Sequence, residues 1–381
     1  MNCAALFAGI AGIELGLERA GHRTTLLCEN EPAACTVLRH RFPGVPLHND
    51  VTTLRALPAG TELLTAGFPC QDLSQAGATA GIGGLRSGLV AEVFRLLRTQ
   101  RVPWVLLENV PFMLQLGRGH AMELVVSALE ELGYSWAYRV VNSRAFGLPQ
   151  RRERVYLLAS LEGDPRDVLL AADAGPEADR GQWQDHACGF YWTEGIRGLG
   201  WAVDAIPTLK GGSTIGIPSQ PAIVFPDGRV AKPDIRDAER LQGFDVNWTE
   251  PAETIVRRGF RWKLVGNSVS VPAAEWLGNS LLAPGEYNAS LDSPMDRGKR
   301  WPRAAWNVGA GRHVSLASAF PVSVEAPSLA RFLQFPVELL SAKATRGFLR
   351  RSDVSSLRFP VGFLDVLRSH LRMMEEAALA A

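Results

Sequence analysis

Residues 3–21 read C-A-A-L-F-A-G-I-A-G-I-E-L-G-L-E-R-A-G, from Cys3 to Gly21. Cys3 to Phe7 is a short apolar run of the kind that forms a buried strand. Ala8-Gly9-Ile10-Ala11-Gly12 is a glycine turn, and Ile13 to Ala20 carries the spacing of an amphipathic helix closed by Gly21. Strand, glycine turn and helix open a nucleotide-binding α/β unit, because glycine lets backbone approach a ligand closely. A second strand, Thr24 to Cys28, ends in Glu29, about 20 residues beyond the turn, where such folds use an acid to hold ribose hydroxyls. A helix from Pro32 to Arg41 follows, and then Asp50-Val51 at a third strand end, suited to an adenine contact.

The alternation continues. Glu62 to Ala66 reads as a strand and leads into Gly67-Phe68-Pro69-Cys70-Gln71, with a glycine-rich loop through Gly77, Gly81, Gly83, Gly84 and Gly88. A thiol at the mouth of a sheet beneath a loop able to fold over it is how a nucleophile is displayed. A lone cysteine is more often a small buried hydrophobe, so the rest of the chain must decide. A helix from about Ser87 to Gln100 precedes Pro103 to Leu107, a wholly apolar strand ending in Glu108-Asn109-Val110. Open α/β sheets place ligands at the carboxyl ends of such strands, and an apolar setting would raise the pKa of a carboxyl there. A helix at Gly119 to Leu132, a strand at Tyr134 to Asn142, the run Gln150-Arg151-Arg152-Glu153-Arg154 and a strand at Val155 to Ala159 complete a doubly wound α/β sheet.

Helical periodicity fades after Asp173, and the chain becomes rich in Gly, Pro and Trp, with a hairpin turn at Pro226-Asp227-Gly228-Arg229. The reading is four pieces: a catalytic and cofactor domain at 1–160, a small inserted, partly β domain at 161–234, a return to the first domain at 235–283, and a separate extension at 284–381. Helices are expected at Arg236 to Gln242, up to Leu282, and near Val361 to Ala378.

Composition narrows the class. The 381 residues are 46% apolar and 21% charged, with net charge +1, so the overall field says nothing for nucleic acid. Five scattered cysteines without C-x-x-C spacing argue against a disulfide framework or a metal site and suit a reducing cytoplasm. No apolar run reaches the ~18 residues of a membrane span, and Met1 to Phe7 lacks the marks of a signal peptide. Arginines crowd three stretches: Arg139 to Arg154, Arg257 to Lys263 and Arg297 to Arg303. Such runs are either solvated faces or nucleic-acid contacts.

Taken in order, Phe7 to Gly12, Gly67 to Gln71, Glu108 to Val110, Gln150 to Arg154, Arg240-Leu241-Gln242-Gly243-Phe244 and Gly266-Asn267-Ser268-Val269 resemble the motifs of the DNA cytosine-5 methyltransferases, bacterial or phage type. The one departure is Ala11, where that family usually has glycine; its extra methyl, near the methionine moiety, is expected to be tolerated, though it is the first place to look for weakness in the cofactor site. The resemblance covers residues 1 to 283. It implies a Rossmann-like fold, with S-adenosylmethionine over Phe7, Ala8, Gly9, Ile10 and Gly12, Glu29 on its ribose, Asp50 and Val51 at its adenine, and Asn267 and Ser268 completing the pocket.

It also implies the chemistry. Carbon 5 of cytosine is too poor a nucleophile to attack a sulfonium methyl group unaided, and addition of the Cys70 thiolate at carbon 6 activates it. Glu108, protonated, would hydrogen-bond ring N3; Arg154 would bind the O2 edge, with Arg152 as support or phosphate contact. The base must leave the duplex, at a cost of a few kcal/mol, and the loop after Cys70 would close over it. Gln71, Ser74 and Arg86 would face double-stranded DNA, and Thr208 and Leu209 match the Thr-Leu element beside the recognition loops. A monomer is expected, with a cognate restriction endonuclease as a functional companion. For residues 284–381 two roles stand: contact with flanking phosphates or packing against the core. Three rivals are weaker. A transfer-RNA cytosine-5 methyltransferase would carry Cys-Phe-Thr where Cys188-Gly189-Phe190 stands. A non-catalytic relative would not need Cys70, Glu108 and Arg154 together, and a dehydrogenase-like enzyme leaves the Pro-Cys-Gln and Glu-Asn-Val motifs unexplained.

Overall fold

The computed structural model describes residues 1–69, 88–177, 179–212, 220–296 and 298–380. In chain order its elements begin with β1 (Asn2–Leu6), α1 (Gly12–Arg19), β2 (Arg23–Cys28), α2 (Pro32–Arg41), β3 (Leu47–His48), β4 (Leu63–Ala66), α3 (Val90–Thr99), β5 (Trp104–Asn109), α4 (His120–Glu131) and β6 (Ser135–Asn142). They continue with β7 (Gln150–Arg151), β8 (Glu153–Ser160), α5 (Pro165–Leu169), β9 (Cys188–Phe190), β10 (Ala202–Val203), β11 (Ile206–Pro207), β12 (Ala222–Val224), β13 (Val230–Lys232) and α6 (Ile235–Arg240). The remainder is α7 (Arg261–Asn267), α8 (Val271–Leu282), β14 (Ser293–Pro294), β15 (Ala304–Asn307), β16 (His313–Val314), α9 (Leu329–Phe332), β17 (Glu338–Leu339), α10 (Ala342–Asp353) and α11 (Phe363–Ala380).

The chain divides into two compact units. The first comprises 1–146, 153–177 and 269–324; the second comprises 147–152, 178–268 and 325–381. The first unit holds a ten-stranded sheet of order β14-β16-β15-β6-β8-β5-β4-β1-β2-β3. From β3 to β5 the strands run parallel, and β8 is antiparallel to both β5 and β6. Because helices cover a parallel sheet on its faces, β5 is apolar from Trp104 to Leu107 rather than alternating; Val105, Leu106 and Leu107 are all buried. Helix α8 packs on α1 with almost no space between them. A Cβ on Gly16 would lie 2.5 Å from the Val271 carbonyl and 2.6 Å from Ala274 Cβ, so this crossing requires glycine.

The second unit is built around a five-stranded antiparallel sheet, β10-β9-β12-β13-β17. The expected hairpin is present: Arg229 N–H donates to Asp227 Oδ1 at 3.0 Å, and Gly228 takes φ +84°. Phe190 and Val224 from this sheet share a core with Phe348 of α10 and Phe363 and Leu367 of α11.

The C-terminal hundred residues therefore do not form a separate piece. Strand β15 pairs along β6 and β16 along β15, extending the large sheet, while β17, α10 and α11 complete the small one. The physical reason is burial: Trp306 and Ala305 of β15, and Phe348 and Phe363 of α10 and α11, complete their apolar cores against the sheets. Two arginines of the first run differ from both readings. Arg139 is fully buried and donates to the carbonyls of Ser318, Leu169 and Ala172 and to Asp173; Arg144 pairs with Glu177 at 2.9 Å. These guanidiniums satisfy buried carbonyls and acids rather than coat a surface. Among the described residues no helix is long and apolar enough to cross a membrane.

Candidate active site

Strand β1 ends at Leu6, and the turn after it is held in an uncommon conformation. Phe7, Gly9 and Ala11 have φ of 57°, 56° and 64°. For two L-residues, one of them aromatic, this left-handed backbone is costly and is retained where structure or function requires it. It also explains why glycine suits position 11: Ala11 is fully buried and is the N-cap of α1 with ψ 43°. The turn is tied to β2 twice. Ala8 N–H donates to the Cys28 carbonyl at 3.0 Å, and Gly9 N–H to Glu29 Oε2 at 2.7 Å. Glu29 Oε1 accepts from the N–H groups of Asn30 and Glu31 at 2.9 and 2.8 Å, so the carboxylate is fixed at the strand end. Asp50 is exposed and caps the short turn Val51–Thr53. The Thr52 hydroxyl and N–H both donate to its Oδ1, at 2.7 and 2.9 Å, and hold the carboxyl below the usual range. Ile10 and Val51 are buried, and Gly12 begins α1.

Two strands away lies the second group. Glu108, at the end of β5, is 8% exposed, and Arg154 Nε from the start of β8 contacts its Oε1 at 3.0 Å. The antiparallel register of β5 with β8 causes this, since Asn109 faces Val155 and the side chains of the two ends converge. Asn109 Nδ2 donates to the Phe68 carbonyl at 3.0 Å, and its Oδ1 accepts the Val110 N–H at 2.8 Å. Gly67 stands beside the acid: a Cβ there would be 3.3 Å from Glu108 Oε2. The Glu-Asn-Val motif thus supplies an acid, then an amide that pins the turn leading to Cys70. Cys70, Gln71, Ser74 and Arg86 lie outside the described residues. The other four cysteines are buried; burial pushes the Cys3 and Cys28 thiols up to about 12 and Cys188 to about 11, and raises Cys35 as well. None of those four is poised as a thiolate.

In the second unit the remaining motif residues meet as a brace. Arg152 is 1% exposed; its Nη1 donates to the Leu209 carbonyl at 2.9 Å, and its Nη2 to the carbonyls of Gly266 and Ser268. In this geometry the Arg152 guanidinium is held on backbone carbonyls of the second unit. Gln150 donates to the Leu241 carbonyl at 2.7 Å and accepts the Leu209 N–H at 3.0 Å; Gln242 donates to the Val265 carbonyl at 3.0 Å. Gly266 is irreplaceable here, because a Cβ would sit 2.2 Å from the Lys210 carbonyl. Asn267 is packed against Gly211 in the same way. Leu209, expected to face DNA, has a buried side chain and belongs to this brace; Thr208 is half-buried and donates to the Arg151 carbonyl at 2.8 Å.

Sequence reasoning missed Asn109 and the two glutamines as braces, though each stands inside a quoted motif. It also missed Glu14. That residue is 2% exposed on the buried face of α1 with Ile13 and Leu17, and Thr65 Oγ1 of β4 donates to its Oε1 at 2.8 Å. The available signal was a charge on the apolar stripe of an amphipathic helix. Among the described residues no group of three or more His, Cys, Asp or Glu could hold a metal ion.

A family model described as C-5 cytosine-specific DNA methylase matches residues 1–180. Type II methyltransferase M2.BsuMI of Bacillus subtilis (strain 168) is 48% identical over 364 residues, 92% of this chain and 93% of its own. Type II methyltransferase M.BanI of Aneurinibacillus aneurinilyticus is 40% identical over 172 residues, 44% of this chain and 40% of its own. The crystal structure of S. pombe Dnmt2 methyltransferase is similar in fold, with a TM-score of 0.53 at 18% identity over 74% of this chain and 98% of that one. With the similarity to M2.BsuMI running through nearly the whole sequence, the chain belongs to the C-5 cytosine-specific DNA methylases.

Proposed function

We propose that this DNA cytosine-5 methyltransferase works on a cytosine flipped out of a specific duplex sequence, with Cys70 as nucleophile and Glu108 and Arg154 on the base. The observation that carries the reading is the Glu108–Arg154 contact at 3.0 Å, beside a turn that Asn109 holds through the Phe68 carbonyl two residues before Cys70. Adjacent strand ends offer one acid and one guanidinium, a match for the N3 and O2 edge of cytosine. Addition of the Cys70 thiolate to carbon 6 turns the ring into an enamine-like nucleophile at carbon 5. Protonated Glu108 hydrogen-bonds N3, and Arg154 stabilises the charge that grows at O2. Loss of the carbon-5 proton then re-forms the ring double bond and expels Cys70. Arg152 acts at a distance by holding the loops that carry Leu209 and Gly266 to Ser268.

The residues at the ends of β1 and β2 fit S-adenosylmethionine. The turn from Phe7 to Gly12 exposes backbone in a left-handed conformation, and the space where Gly9 would carry a Cβ is open. Glu29 and Asp50 bring carboxylates for ribose hydroxyls and the adenine amine, with Val51 against the ring. When bound, the cofactor supplies an electrophilic methyl group on sulfur.

Cys70→Ser is expected to lower methyl transfer to duplex DNA by on the order of 10³-fold or more while S-adenosylhomocysteine still binds. Transfer near the wild-type rate would sink the covalent mechanism. A tritiated-methyl assay on duplex DNA against transfer RNA, and base-resolution mapping of 5-methylcytosine after expression in a methylation-free bacterium, give the substrate and the target sequence.

A further inference from the structure

We propose that Glu14 is a positioning residue that couples the methyl-donor turn to the strand leading to the nucleophile. The inference rests on the function proposed above and adds a residue to it. Glu14 lies in the first turn of α1, directly after the turn from Phe7 to Gly12, so any shift of that turn moves it. Its partner Thr65 is 1% exposed on β4, five positions before Cys70. In register, Thr65 stands between Ala5 of β1 and Leu106 of β5, two residues before Glu108. The hydrogen bond from Thr65 Oγ1 to Glu14 Oε1 therefore joins the donor turn to the row that carries both reactive ends. The two ties already described run from the turn to β2 and its end; this one runs to β4.

A buried carboxylate is an expensive way to fill a helix–sheet contact, since an apolar side chain would pack there without desolvating a charge. What it provides instead is a directional bond whose strength depends on ionisation. Burial pushes the Glu14 carboxyl up to about 7, the Thr65 hydrogen bond works against that rise, and Glu18 and Glu29 add to it. Around it, β1 contributes Cys3, itself a buried neutral thiol, β4 contributes no ionisable side chain, and α8, packed on α1, carries only Glu275. No cation among these groups holds the carboxylate, so the Thr65 bond tightens as pH rises through about 7.

The experiment compares Glu14→Gln, Glu14→Ala, Thr65→Val and the Glu14→Ala/Thr65→Val pair in the full chain. It reads kcat, KM for S-adenosylmethionine, S-adenosylhomocysteine affinity and folded fraction between pH 6 and 9. Glu14→Ala and Thr65→Val should each lower kcat by on the order of tenfold to a hundredfold and weaken S-adenosylhomocysteine severalfold. The pair should lose no more than either alone, and Gln, which keeps the acceptor, should restore most of the rate. Through pH about 7 wild type should gain no more than the part of the rate that Gln fails to restore, and the Gln variant should be flat there. Retention of kcat and donor affinity within about twofold in Thr65→Val, which keeps the shape of the side chain, overturns the proposal. So does a loss that tracks folded fraction alone. Absence of methyl transfer in wild type would fail the parent mechanism instead, and the coupling would then be decided by S-adenosylhomocysteine affinity in the same variants.

Discussion

The first unit follows the chain and the second does not. Strands β1 to β5 and their helices come from one continuous stretch, with β4 crossing back to pair with β1, and only 269–324 returns from a distance. The second unit assembles three separated segments: 147–152, 178–268 and 325–381. Their polar means differ as well. The first unit concentrates strain and charge at strand ends, where Phe7 and Ala11 take positive φ and Glu108 meets Arg154. The second buries its polar groups as a scaffold, with Arg152, Gln150 and Gln242 each satisfied by carbonyls of segments far apart in sequence. Where distant segments meet, buried polar groups hold them together, as Arg152 does in the second unit and Arg139 does where Ser318 returns to the first.

The largest test of this contrast is Phe348→Ala. Phe348 is fully buried among Phe190, Phe359 and Phe363, with ring centroids at 5.4, 6.3 and 6.0 Å. The substitution should destabilise the second unit by about 3–5 kcal/mol, read as an earlier denaturant transition with S-adenosylhomocysteine affinity retained. Loss of both together would show that the two cores unfold as one.

The next effect is electrostatic and belongs to the first unit. The folded-state pKa of Glu14, about 7, lies above its ordinary 4.5. A raised carboxyl contributes its stability in full below the lower value and loses it as pH rises toward the upper one. Between pH 4.5 and 7 the wild type should therefore lose on the order of 3 kcal/mol relative to Glu14→Gln, and the gap should stay constant above. A melting-temperature difference between the two proteins that does not change from pH 4.5 to pH 8 would refute this.

The smallest effect sharpens the contrast at the donor turn. Ala11→Gly removes a left-handed strain of about 1–2 kcal/mol and adds unfolded-chain freedom worth about 0.4–1 kcal/mol. Net stabilisation should lie between about 0 and about 1.6 kcal/mol, measured as a small rise in melting temperature. A fall would mean that the Ala11 methyl packs usefully in the buried turn.

Most of the first unit was legible because its elements are local. Apart from the two-residue strand β7, each strand and helix from Asn2 to Ser160 announces itself by period, proline and glycine within about ten residues, and the boundaries agree to within a few positions. The antiparallel course of β8 was not legible, since an apolar strand reads alike in either direction. Helix α10 was missed because its apolar side, Phe348 and Leu349 among basic residues, is narrow until a sheet lies beneath it.

The sequence alone determined the family chemistry: a cysteine after proline, an acid at a strand end, a basic run and a glycine turn, in an order that one reaction explains. Tertiary structure decided what each polar residue does. Arg152 and Arg154 are two positions apart and look interchangeable in sequence, yet one is buried on carbonyls and the other touches Glu108. Glu14 and Thr65 are 51 residues apart and meet only across the sheet. Local sequence specifies backbone period and turn geometry, because those depend on neighbouring residues. Which donor finds which acceptor depends on strand register and burial, which exist only once the sheet has formed.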